Sequence, residues 1–183
     1  LLLDELLFPS YRSVLVDRPI FIIGVPRSAT TYLYKILDKD TENFTCFKLW
    51  EIIFAPSIIQ KRLYLLLNKI DRAIGHPIKK LILRIEQTMF NDLNKIHPMS
   101  LFQPDEDEFL FLHLFSSIYL SWYFPEVKEL EKFAEFDERI PEKQKKKYMK
   151  FYKRCVQRHL FVYGKLKKIF LSKNPGFVSK IDS

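Results

Sequence analysis

Short apolar runs alternate along the chain with longer stretches in which apolar and polar residues recur at helical spacing. The strands that this pattern predicts are 19–24, 43–50 and 168–172. The helices that it predicts are 30–38, 57–72, 77–95, about 105–122, and one within 142–168. Because strands separated by helices form parallel βαβ units, the pattern predicts an α/β fold in which helices flank a parallel sheet.

The segment between the second and third predicted strands, about 52–160, is mainly helical and forms a long insertion. A substrate-binding cap is expected there, since ligands of open α/β sheets bind at the carboxyl ends of the strands. We interpret residues 1–183 as a single domain. The chain begins at Leu1 without methionine and ends at Ser183, where another helix is predicted to start, so we expect it to be truncated at the C-terminus.

The composition excludes a disordered chain, because 48% of the residues are hydrophobic. The most apolar run, 109–124, is shorter than the roughly 20 residues of a membrane-spanning helix, so it predicts a buried core helix and no transmembrane segment. Cys46 and Cys155 lie too far apart for a metal-site spacing, and we expect no metal. No signal peptide is visible, and a cytoplasmic location is expected.

The net charge of +8 comes mostly from 142–168, which predicts an amphipathic helix with a basic outer face. Such a face is either simply solvated or attracts anionic ligands.

The segment "GVPRSATT", 24–31, joins the first predicted strand to a helix. A helix N-terminus offers unpaired N–H groups and the positive end of the helix dipole to an anion. The hydroxyl groups of this loop add donors, and Arg27 adds a fork suited to phosphate or sulfate oxygens. The candidate anion-binding residues are Pro26, Arg27, Ser28, Ala29, Thr30 and Thr31.

The loop differs from the nucleotide triphosphatase pattern G-x-x-x-x-G-K-[ST] at two positions. Ala29 replaces the second glycine and Thr30 replaces the lysine. Without that lysine an ordinary ATP or GTP hydrolase is disfavoured, but the loop still suits a 5′-phosphate group with Arg27 as its cation. The alternative is a plain strand–turn–helix with a surface arginine.

The chain resembles the sulfotransferases that use 3′-phosphoadenosine 5′-phosphosulfate. "FIIGVPRSATTYL" is similar to their 5′-phosphosulfate loop, P-R-S-G-T-T, and "FLSKNPGFVSKIDS" to their later strand and K-x-P turn. "LWEIIFAPS" and "IHPMSLFQPDEDEFLFL" resemble segments of the bacterial-type branch, and the resemblance runs over 19–183. It implies a P-loop-like fold and metal-free transfer of a sulfuryl group from this donor to a hydroxyl or amine.

Two departures from the family pattern matter. Ala29 stands where the family has glycine, which a helical backbone tolerates and a left-handed backbone does not. The family's 3′-phosphate site, an Arg and a Ser after the next strand, has no counterpart before Ser183. We therefore expect this chain alone to hold the donor weakly.

Glu51 is the predicted catalytic base, because it follows the second predicted strand and the resemblance supports it there. Partial burial would raise the pKa of Glu51 toward the working range. The alternative is a glutamate at the favourable end of a helix. His97, in a loop before Pro98, is the second choice for the base.

Lys173 follows the last strand, and "KNP" resembles the family's K-x-P turn. It is predicted, with Arg27, to neutralise charge on the sulfuryl group or the bridging oxygen, unless it is a generic surface lysine. The acidic run 104–109 most simply begins a helix, with acceptor recognition or a paired-carboxylate site as alternatives.

Two other functions remain open at this point. One is a P-loop kinase that uses ATP, and the other is a non-catalytic protein that binds anions or glycans through the basic helix. For the leading hypothesis the expected partner is a small-molecule, glycan or lipid acceptor, and no nucleic acid. The sequence predicts neither the identity of the acceptor nor the oligomeric state.

Overall fold

A parallel sheet of three strands lies at the centre of the part of the chain that the structure describes. The structure is a computed structural model, and it describes residues 1–25, 28–89, 100–163 and 168–182. The strands are β1 (Ile20–Ile22), β2 (Phe44–Thr45) and β3 (Ile169–Lys173), in the order β1-β3-β2. Because β3 pairs on both sides, its last four residues are buried.

Helices surround this sheet and form most of the chain between β2 and β3. The α-helices are α1 (Leu2–Leu7), α2 (Thr30–Leu37), α3 (Leu49–Ile53), α4 (Ile58–Ala73), α5 (Pro77–Met89), α6 (Leu120–Tyr123), α7 (Phe136–Arg139) and α8 (Glu142–Tyr163). The 3₁₀ helices are Pro9–Ser13, Asp107–Leu114, Lys128–Phe133 and Pro175–Lys180. Among the described residues, no helix combines the length and apolar character that a membrane crossing requires.

The main hydrophobic core lies between α8 and the sheet. On α8 the inward residues recur at spacings of three and four, while the lysines occupy the outer face, as the amphipathic pattern predicted. The buried residues of this core are Phe47, Ile52, Leu110, Phe111, Tyr152, Cys155, Val156, Leu160, Phe170 and Phe177. The expected α/β class and the largely helical insertion between the second and third strands are both confirmed.

The second predicted strand, 43–50, is shorter than expected. Pairing with β3 ends at Thr45, and Lys48 forms an isolated antiparallel bridge with Pro104. The chain then turns into α3, because Leu49 and Ile52, three residues apart, both enter the core. Glu51 therefore lies in the first turn of a helix rather than at the end of a strand.

The predicted core helix at 105–122 is wrong. The chain forms the 3₁₀ helix Asp107–Leu114, reaches a left-handed backbone at Phe115 (φ 50°) and resumes as α6. The four consecutive acidic residues 105–108 are all buried and all have polar partners. An α-helix advances 100° per residue and would turn at least one of them away from those partners.

Candidate active site

The loop after β1 leads directly into the N-terminus of α2. The Ser28 hydroxyl donates to the Val25 carbonyl oxygen at 2.7 Å, which closes the described part of the turn. A Cβ at Gly24 would lie 3.0 Å from both Ser28 Oγ and Thr30 Cγ2, so this position favours glycine. Among the described residues, no side chain caps α2, and its first N–H groups are available for an anion. Pro26 and Arg27 lie outside the described residues, and their role stays a prediction.

Ala29, at the N-cap of α2, has a left-handed backbone with φ 62° and ψ 12°. A left-handed backbone is unfavourable for alanine, as noted for this departure from the family's P-R-S-G-T-T pattern, because its Cβ crowds the following carbonyl. The loop therefore holds backbone strain at a position where the related loops carry glycine.

We expect Ala29→Gly to raise the free energy of unfolding by about 1 kcal/mol, because it removes that strain. The control is Ala73→Gly at the exposed end of α4, a right-handed helical position where glycine costs about 0.5–1 kcal/mol. Denaturant unfolding measures both variants. A destabilised Ala29→Gly protein would show that the alanine side chain makes contacts worth more than the strain.

Lys173 ends β3 and lies opposite Ile22 of β1 in the sheet register. Its side chain is buried and its Nζ donates to Glu106 Oε1. Thr31 and Lys173 both line one cavity at the carboxyl edge of the sheet. The complete lining of this cavity is Thr31, Tyr34, Lys35, Ser100, Gln103, Pro104, Asp105, Glu106 and Lys173.

Glu106 is a charged residue of this cavity that the sequence analysis named only as part of the acidic run 104–109. It accepts hydrogen bonds from Lys173 Nζ and from the Tyr119 hydroxyl, and only 8% of the residue is exposed. The available signal was the acidic run itself. Four consecutive acids before a strongly apolar segment are either solvated at a helix start or buried with partners, and here they are buried.

Asp107 and Glu108 hold the turn that follows β3. Asp107 accepts hydrogen bonds from the Tyr152 hydroxyl at 2.5 Å, the Ser172 hydroxyl at 3.0 Å and the Asn174 amide at 3.2 Å. Glu108 forms a buried ion pair with Lys180 at 3.1 Å. These contacts lie on both sides of Lys173 in the sequence, so they fix the direction in which β3 presents its lysine.

Burial raises the pKa of Asp107 to about 7, although its three donors oppose the rise. Because the folded pKa lies above the ordinary aspartate value of about 4, the folded protein binds the extra proton between about pH 4 and 7. We expect Asp107 to lower the free energy of unfolding as pH rises through that window, by at most about 1.4 kcal/mol per pH unit.

Asp107→Asn should remove this dependence of the free energy of unfolding on pH. Its amide does not titrate, and it can donate to Tyr152 and accept from Ser172 as the protonated acid does. Urea unfolding between pH 4 and 8 measures it, with Glu129→Gln, an exposed carboxylate, as the control. Parallel curves for wild type and Asp107→Asn would contradict the prediction.

Glu51 is buried and held by several groups. Its Oε1 accepts from Lys61 Nζ at 2.9 Å, and its Oε2 accepts from the Lys48 N–H at 2.9 Å. Burial alone would raise the pKa of Glu51, but Lys61 and His159 lower it below its usual range. The expected direction of this pKa shift is therefore wrong.

Glu51 lies outside the cavity, on a helix that contacts the segment forming the cavity wall. It is not among the lining residues, but α3 contacts the segment that lines it: the N–H groups of Leu49 and Trp50 donate to the carbonyl oxygens of Gln103 and Leu101. The assignment of Glu51 as base stays a prediction. His97, the second choice, lies outside the described residues. No group of three or more potential metal ligands occurs within the described ranges.

Comparison with known proteins gives two matches. A sequence model of the sulfotransferase family matches residues 19–182. The crystal structure of the sulfotransferase STF9 from Mycobacterium avium has a similar fold, with a TM-score of 0.64 at 19% sequence identity. The similarity covers 98% of this chain and 42% of the mycobacterial chain, so this chain spans less than half of that protein's length. A search of curated proteins gives no match. The P-loop-like α/β fold expected from the sequence is confirmed.

Proposed function

Because the chain belongs to the sulfotransferase family, we propose that it transfers a sulfuryl group from 3′-phosphoadenosine 5′-phosphosulfate to a hydroxyl or amine of an acceptor. The observation that carries this proposal is that Thr31, at the start of α2, and Lys173, at the end of β3, line the same cavity. An anion-binding helix end and a cation thus meet at the edge where open α/β sheets bind ligands.

The N-terminus of α2 is the proposed site for the 5′-phosphate of the donor. The N–H groups of its first turn, which no described side chain caps, and the positive end of its dipole favour a divalent anion, and Thr31 lines the same cavity as Lys173. Arg27 is the proposed loop cation, in place of the lysine that nucleotide triphosphatases carry. These residues bind a phosphosulfate without a metal ion.

Lys173 is proposed to stabilise the charge that develops on the bridging oxygen as the bond between sulfur and that oxygen breaks. Such preorganised electrostatic stabilisation is commonly the largest single contribution to group transfer. Glu106 holds the ammonium group in place from one side, and the contacts of Asp107 and Asn174 fix the backbone around it.

Two carboxylates are candidates for the base that accepts the acceptor's proton. The sequence predicts Glu51, which is engaged by Lys61 and lies behind the cavity. Geometry favours Glu106, because it lines the cavity next to Lys173. In this scheme Lys173 turns from Glu106 to the bridging oxygen when the donor binds. Glu106 then accepts the proton while the acceptor oxygen or nitrogen bonds to sulfur and 3′,5′-phosphoadenosine leaves.

Calorimetric titration of the full-length protein with 3′,5′-phosphoadenosine, and separately with ATP with and without magnesium, tests the proposal. We expect magnesium-independent binding of the bisphosphate and its loss in Arg27→Ala. Lys39→Ala, a cation change outside the loop and the cavity, is the control. Preference for ATP with magnesium would favour a kinase. Binding of neither nucleotide would favour a non-catalytic anion-binding protein.

A further inference from the structure

Helices α4 and α5 form a hairpin whose surface carries an unusual number of large apolar side chains. Along each helix they recur at spacings of three and four residues, so they form stripes rather than isolated exposures. Each is between 44% and 63% exposed. The residues of these stripes are Leu63, Leu66, Leu67, Ile70, Ile74, Ile78, Leu81 and Ile85. Large apolar side chains exposed along one face of each helix mark an interaction site.

The charges on the same hairpin have one sign. Residues 58–89 contain two acids, Asp71 and Glu86, and both are buried. Asp71 caps α5 by accepting from the Ile78 N–H at 2.7 Å. Glu86 accepts from the Leu101 N–H at 2.7 Å. The exposed charged residues of the hairpin are all cations: Arg62, Lys69, Arg72, Lys80 and Arg84.

We propose that the α4–α5 hairpin binds an anionic membrane surface and lies in the plane of the headgroups. Leucine and isoleucine stripes bordered by lysine and arginine are what an interfacial helix needs, because the apolar face enters the acyl boundary and the cations meet lipid phosphates. A nucleic acid would use the cations but would leave the aliphatic stripes in water. The aliphatic stripes therefore favour lipid.

The basic face of α8 provides a contrast within the same molecule. Its exposed lysines include Lys143, Lys146, Lys147 and Lys150. The hydrophobic residues of that helix face the core, and several of them are fully buried. That face therefore has the charge for an anionic surface but lacks the apolar stripe, and we assign membrane binding to the hairpin.

The hairpin is directly connected to the candidate cavity. Glu86 of α5 accepts hydrogen bonds from Ser100 Oγ at 3.1 Å and from the Leu101 N–H, and Ser100 lines the cavity. A hairpin seated on a bilayer thus holds the cavity wall through its second helix, one hydrogen bond from the membrane-bound element. If the proposed function holds, this placement favours an acceptor whose hydroxyl or amine lies at the membrane interface. The binding itself does not depend on that function.

Co-sedimentation of the full-length protein with vesicles tests the inference. We expect binding to phosphatidylcholine vesicles that contain about one third phosphatidylserine and little binding to phosphatidylcholine alone. Lys80→Gln with Arg84→Gln should lower the partition coefficient about 25-fold, at about five-fold per cation. Leu66→Gln with Leu81→Gln should lower it at least about ten-fold.

The matched control is Lys146→Gln with Lys150→Gln on α8, which removes the same charge from the other basic surface and should change binding little. An equal loss of vesicle binding in the α8 control variant and in Lys80→Gln with Arg84→Gln would overturn the proposal. The net positive charge of the protein, wherever it lies, would then explain the binding. No binding to anionic vesicles would also overturn it. Concentration-dependent dimerisation that Leu66→Gln with Leu81→Gln abolishes, without vesicle binding, would assign the surface to a second copy of the chain.

Discussion

Lys173→Met is expected to lower kcat for sulfuryl transfer by about 10²–10³-fold, the usual effect of removing one group that stabilises developing charge. The methionine keeps most of the side-chain volume but lacks the charge that is proposed to stabilise the bridging oxygen. Release of 3′,5′-phosphoadenosine from the donor in the presence of a phenolic acceptor measures the effect. Affinity for the nucleotide product should change much less, since the loop and α2 are intact.

A control is needed because Lys173→Met leaves Glu106 without its cation in a buried setting. The double variant Lys173→Met with Glu106→Gln removes both charges and should restore stability while activity stays low. Lys168→Met, a lysine just before β3, is the matched single control. Wild-type kcat in a folded Lys173→Met protein would overturn the assigned role of this lysine.

Lys61→Met is expected to lower the free energy of unfolding by about 3–5 kcal/mol, because it leaves the Glu51 carboxylate charged and buried without its partner. Both side chains of this ion pair are at most 2% exposed. Domains of this size are stable by only about 5–15 kcal/mol, so the variant should lose a large part of its free energy of unfolding. Chemical denaturation measures the change.

The exposed ion pair Arg139–Glu135 is the control, and Arg139→Met should cost less than about 1 kcal/mol. Lys61→Met with Glu51→Gln should regain most of the stability, since glutamine still accepts the Lys48 N–H. The same double variant tests the base. A folded protein without activity supports Glu51, whereas retained activity favours Glu106. Equal costs for Lys61→Met and Arg139→Met would contradict the account of the buried pair.

The sequence predicted the class of fold because strand and helix periods differ clearly around β1, α2, α8 and β3. It also predicted that the residues following the first and last strands converge, and Thr31 and Lys173 do line one cavity. The resemblance to sulfotransferases, based on the loop and the K-x-P turn, is confirmed by the family match over 19–182.

What the sequence did not predict depends on contacts between distant segments. The sequence favours the end of a strand for Glu51 over its alternative, a helix start, because its helix is only five residues long and its partner Lys61 lies on the next helix. The acidic run resembles the start of a helix, because Tyr152 and Lys173, which donate to Asp107 and Glu106, lie 45 or more residues away. The local pattern of apolar and polar residues contains no information about partners so distant in the sequence.

The position of β3 between β1 and β2 has a consequence for synthesis on the ribosome. The first two strands are complete by Thr45, but the strand that pairs with both begins at Ile169. At about 5–20 residues per second, the nascent chain spends many seconds with two unpaired strands exposed. Any ribosomal stall within the insertion prolongs that exposure, and chaperone dependence during translation should follow the length of the insertion rather than the stability of the finished domain.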